Sequence, residues 1–147
     1  MKNALFRCPS DWKGLLPPEV LGAVRPEELS GQVWELLALT EPGCRSLERT
    51  PLLCRILLVP GNCPAALPDR LGAEAVITYG LSSRDSLTLS SLTEPVLCIQ
   101  RALPRPDGTV VEPQELPLPP LPAPAEQLLP LLGLQLLQMP LPGSFCL

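Results

Sequence analysis

The chain has 147 residues, enough for one domain of ordinary size, and its 46% hydrophobic but 3% aromatic content calls for a core of Leu, Val, Ile and Ala. A net charge of −4, with no Lys after Lys13, leaves no basic cluster of the kind that displaces counterions from phosphates. Nucleic acid and anionic membrane surfaces are therefore poor partners. Because the chain has no His, Ser-His-Asp and Cys-His machinery cannot be assembled, and acid-base work would fall to carboxylates, Lys, Tyr79 or a thiol.

Residues 1–14 read as irregular. Pro17, Pro18 and Glu19 open a short helix to about Val24, since Pro is tolerated in a first turn and an acid favours it. Pro26, Glu27 and Glu28 open a second helix, in which Leu29, Val33, Leu36 and Leu37 share one helical face. Glu41-Pro42-Gly43 stops it. Residues 52–59 form a near-continuous apolar run ended by Pro60-Gly61-Asn62, the pattern of a buried, parallel strand. One helical turn fits residues 64–72, capped by Gly72, and Ala75-Val76-Ile77-Thr78-Tyr79 is a second strand rich in β-branched residues. Ser86 to Leu92 alternates like a half-exposed strand, with Ser86, Thr88 and Ser90 on a solvated face. Pro95 to Ala102 is a fourth strand candidate. Pro106-Asp107-Gly108 is a turn, because Pro sets one φ, Asp bonds its own backbone and Gly accepts a positive φ. These features predict a β-hairpin over residues 96–112.

Composition changes at Pro113. Pro117, Pro119, Pro120, Pro122 and Pro124 remove backbone donors and favour an extended path. A last helix over residues 125–138 is weakened by Pro130 and Gly133. The expected fold class is α/β or α+β, a small mixed sheet with N-terminal helices, a C-terminal β-hairpin and a Pro/Leu-rich tail. The expected division is a domain over 1–115 and a tail over 116–147 that packs on the domain or on a partner.

The six cysteines form no CxxC pair, and without His no zinc pattern arises. The first residues lack the apolar core of a signal peptide. The thiols are thus expected to be reduced, several serving as small core residues of a cytoplasmic protein. No run reaches the ~20 uninterrupted apolar residues that span a bilayer. No metal or cofactor is implied.

The strand-turn sequence Leu58-Val59-Pro60-Gly61-Asn62, the segment Ala75-Val76-Ile77-Thr78-Tyr79-Gly80-Leu81-Ser82 and the strand Ser86 to Leu92 fall in one order. Residues 56–111 as a whole resemble the last part of the central domain of Mur ligases and their folylpolyglutamate synthetase relatives. The resemblance implies a nucleotide-binding sheet. The family's Gly-Lys-Thr/Ser phosphate loop has no counterpart here, and Cys63-Pro64 stand where paired aspartates often follow the Asn. ATP-dependent ligation is accordingly not implied.

In a parallel sheet, the loops after the first two predicted strands share the carboxyl edge, where ligands bind. That edge would gather Asn62, Asp69, Tyr79, Ser82, Ser83, Arg84 and Asp85 into a pocket. Loop chemistry alone accounts for the same residues as caps and turns. Cys63 follows Asn62 and lacks a neighbouring base, so it reads as an ordinary thiol rather than a nucleophile. Trp12 and Trp34 read as core or interface anchors. Two functions follow. The first is a non-enzymatic protein-interaction or assembly role, with the Leu/Pro tail as contact element and self-association as one form. The second is a degenerate Mur-ligase-like domain that binds a small ligand or nucleotide.

Overall fold

The computed structural model describes residues 2–47 and 50–138. Its strands are β1 (Asn3–Phe6), β2 (Val20–Ala23), β3 (Val33–Leu39), β4 (Leu53–Pro60), β5 (Ala75–Tyr79), β6 (Leu87–Ser91), β7 (Val96–Ile99), β8 (Leu103–Pro104), β9 (Val110–Val111) and β10 (Gln114–Pro117). The helices are α1 (Glu41–Ser46), α2 (Ala66–Arg70) and α3 (Leu129–Gln138), supplemented by 3-10 turns at Ser10–Leu15, Pro26–Glu28 and Ala125–Gln127. Eight strands pair in one sheet in the order β10-β7-β6-β5-β4-β3-β1-β2. Pairing is parallel from β2 through β6 and antiparallel where β7 meets β6 and β10. The chain is therefore mixed α/β with a mostly parallel sheet.

Burial on both faces explains the apolar runs of the central strands. Along β4, Ile56 and Leu58 enter one core while Cys54, Leu57 and Val59 enter the other. Leu36 and Ala38 of β3 divide from Leu37 and Leu39 in the same way. On the second face, Cys44 and Leu47 at α1, and Leu67 and Leu71 at α2, cover the sheet. The first face is covered by α3 and, in part, by Trp12, Leu15 and Leu16.

Both expected N-terminal helices are strands instead. Gly31, at φ +74°, donates its amide to the Pro51 carbonyl (2.7 Å), so the turn that opens at Pro26 stops and residues 33–39 enter the sheet. An apolar run buried on two faces satisfies helical spacing by accident. Residues 20–23, expected as helix, are β2. A Cβ at Gly22 would lie 2.9 Å from Leu16, so this edge strand is packed tightly by the segment before it. Residues 3–6, expected as irregular, form β1 between β2 and β3. Four residues are too few to display a period.

The expected hairpin over 96–112 is also revised. Asp107 Oδ1 accepts from the Thr109 amide (2.9 Å), and the turn joins only the short β8–β9 ladder. Strand β7 pairs with β6 and β10 instead. Ser86 and Thr88, expected on a solvated face, are buried, whereas Ser90 is exposed.

The expected boundary between residues 115 and 116 falls inside β10. Beyond it, Leu116, Leu118, Leu121 and Ala123 pack against the core shared with α3. Gly133 has a packing reason: a Cβ there would lie 2.9 Å from Leu58 and 3.1 Å from Leu87, so α3 approaches β4 and β6 closely. Residues 139–147 of the expected tail lie outside the described residues. No described helix is long and apolar enough to cross a membrane.

Candidate functional site

From β1 the chain runs to β2 on one side, then crosses back to β3 on the other. Such a reversal opens a crevice beyond the carboxyl ends of the strands. A cavity of about 860 Å³ lies at these ends. Arg7 and Trp12 enter it after β1, Thr40 and Glu41 after β3, Gly61 and Asn62 after β4, and Tyr79 through Ser82, Arg84 and Asp85 after β5. Glu126, Gln127, Leu129 and Pro130, at the start of α3, close the remaining wall.

Thr40 ties β1 to β3. Its hydroxyl donates to the Phe6 and Arg7 carbonyls (3.3 and 3.2 Å) and accepts from the Gly43 amide (3.3 Å), capping α1. Arg7 holds φ +59°, the left-handed region that costs a residue with a Cβ about 1–2 kcal/mol. Arg7→Gly is expected to raise stability by about 0.5–1 kcal/mol in urea unfolding, because relief of that cost exceeds the added unfolded-state entropy. Arg7→Ala keeps the strain and gains nothing. An Arg7→Gly protein no more stable than Arg7→Ala would contradict the assignment.

The loop after β5 is locked by its own side chains. Asp85, 5% exposed, accepts the Ser82 amide on Oδ2 (3.1 Å), and its own amide donates to the Ser82 carbonyl (3.0 Å). Ser82 Oγ accepts the Arg84 amide (3.1 Å) and Thr78 Oγ1 accepts the Ser86 amide (3.1 Å). From beyond β7, Gln100 donates to the Asp85 carbonyl (2.5 Å) and Arg101 to the Arg84 carbonyl (2.6 Å). Gly61 and Gly80 make room for the Asp85 carboxylate, since Cβ atoms there would lie 2.2 and 2.5 Å from its oxygens.

These bonds separate structural groups from free ones. Tyr79 donates its hydroxyl to the Leu39 carbonyl (2.7 Å), and burial raises its pKa, so it serves as wall rather than base. Asn62 donates to Glu41 (3.2 Å) across the rim. The guanidinium groups of Arg7 and Arg84, by contrast, have no hydrogen-bond or ion-pair partner among the described residues.

Of the seven residues expected at the pocket, Asn62, Tyr79, Ser82, Arg84 and Asp85 line it, while Asp69 and Ser83 are exposed outside the lining. Sequence reasoning missed Arg7, Thr40, Glu41 and the α3 residues. Reading residues 3–6 as a strand would have put Arg7 at the carboxyl edge. Trp34 donates its indole N–H to the Leu29 carbonyl (3.1 Å) inside the core, whereas Trp12 is half-buried and reaches the crevice. No model of a protein family, curated protein or solved structure matches this chain.

Proposed function

We propose that the protein binds a small anionic ligand with an apolar or aromatic body in the crevice at the carboxyl edge of the sheet. The observation that carries this reading is that Arg7 and Arg84 both line the crevice with guanidinium groups that have no partner among the described residues. Arginine forks bind carboxylate and phosphate through paired N–H donors. Trp12 and Leu81 offer apolar surface beside them. Asp85 and Asn62 are held by protein partners and shape the rim. A nucleotide, the ligand class implied by the Mur ligase resemblance, is one member of this class.

The alternative, contact through the Leu/Pro tail, loses its best residues to the fold. Leu128, Leu129, Leu131, Leu132, Leu134, Leu136 and Leu137 are buried in the protein's own core.

Thermal unfolding in the presence of inorganic phosphate, ADP, adenosine and small carboxylates tests the proposal. At ~100-fold excess over Kd, binding to the native state adds about 2.7 kcal/mol. A shift with ADP but not adenosine, lost in Arg84→Ala, is the expected outcome. An undiminished shift in Arg84→Ala would remove the site, and a flat panel would overturn the ligand class.

A further inference from the structure

The leucines of the Leu/Pro segment face inward, but most of its prolines do not. Beyond β10 the chain runs from Leu118 to Pro124 outside any helix or strand, anchored by the Leu118 amide on the Pro95 carbonyl (3.1 Å). Leu118 and Leu121, three residues apart, pack against the core. Pro117 and Pro120, at the same spacing one position earlier, are exposed, and so is Pro122. A period of three is that of a polyproline II helix, here with one edge turned inward and the others outward. Pro124, at the end of the stretch, holds φ −55° and ψ 136°, near the polyproline II values. Beside the outer edges lies a hollow of about 310 Å³, lined by the exposed Leu92 together with Pro95, Pro119, Pro120 and Pro124. The carbonyls from Leu118 to Ala123 accept no hydrogen bond among the described residues. Glu94 next to Pro95, Glu115 in β10 and Glu126 at the hollow are all exposed and make no ion pair among the described residues, and no Lys or Arg follows Arg105 in the sequence.

We propose that residues 117–122, with the hollow beside Leu92, form a docking ridge for a protein domain that reads polyproline II through an aromatic groove with a basic rim. Rings of such a groove stack on pyrrolidine edges, and indole N–H and phenol O–H groups donate to the exposed carbonyls. Proline fixes φ and the leucines already anchor the segment, so little is left to order on binding. The carboxylates select the sign of the rim. They also disfavour a second copy, which would bring the same acidic ridge. Pro117, Pro119, Pro120 and Pro122 offer no backbone donor to an added strand. This inference does not depend on the crevice.

The test follows amide shifts of the isotope-labelled full chain during titration with a panel of WW domains whose aromatic grooves carry basic rims. Saturable shifts are expected at Leu92, Glu94, Leu116, Leu118 and Leu121, with Arg7 and Arg84 unmoved. Leu92→Ala and Pro120→Ala, both at exposed positions that leave the fold intact, should each weaken binding about fivefold or more. A WW domain whose groove tryptophan is replaced by alanine should not bind. No saturable shift with any domain of the panel, equal shifts with the tryptophan-less domain, or tighter binding to an SH3 domain with an acidic rim would overturn the proposal. So would the same shifts growing with the protein's own concentration in the absence of any added domain, which would make a second copy the occupant.

Discussion

Leu132→Ala is expected to lower the unfolding free energy by about 2–5 kcal/mol, the range for deleting a fully buried Leu side chain. Leu132 lies on α3 with no exposed surface, in the core that also holds Leu58 of β4 and Leu87 of β6. Close approach at Gly133 leaves α3 little freedom to settle into the space vacated, which places the effect above a surface truncation. Leu92→Ala is the control: Leu92 is 57% exposed, and its loss should stay within about 0.5 kcal/mol. Urea unfolding of both variants decides the point. If Leu132→Ala costs under 1 kcal/mol, α3 does not complete the core. Removal of residues 116–147 is likewise expected to unfold the protein rather than merely strip a contact surface.

The second large effect is expected at Gly61. A Cβ placed there lies 2.2 Å from Asp85 Oδ1, so Gly61→Ala must displace the carboxylate that holds the Ser82 amide. Overpacking and a lost hydrogen bond to a charged acceptor together should cost about 3 kcal/mol. The backbone at Gly61 is not left-handed, so the loss is steric rather than conformational. A double-mutant cycle isolates the cause. In an Asp85→Ala background the obstacle is gone, and Gly61→Ala should become nearly neutral. Additive costs would show that Gly61 and Asp85 are not in contact.

How much of this was legible in the sequence depended on whether one element sufficed to specify itself. The run through Ile56-Leu57-Leu58-Val59 and the β-branched Ala75–Tyr79 segment announced buried parallel strands, and Gly72 announced the end of α2 with φ +66°. From those two strands came Asn62, Tyr79, Ser82, Arg84 and Asp85. What remained hidden depended on tertiary pairing. Val33–Leu39 carries a helical spacing, yet its register beside β1 and β4 makes it a strand. Ser86 and Thr88 look solvent-facing by alternation alone, yet both are buried. Arg7 carries no local signal, because only the pairing of Asn3–Phe6 on both sides puts it over the crevice. The apolar tail reads as a contact element because it stands beside a chain without general catalytic equipment, yet seven of its leucines are buried in the protein's own core. The face of the sheet over β3 to β6 is where they fit.

The most direct measurement is amide chemical-shift mapping of the isotope-labelled protein during titration with inorganic phosphate and then ADP. Binding in the crevice is expected to move Arg7, Trp12, Asn62, Leu81, Ser82 and Arg84 together in a saturable way, with the β8–β9 turn unmoved. Shifts confined to residues 116–124, or no saturable shift with either anion, would contradict the claim that this edge of the sheet is a ligand site.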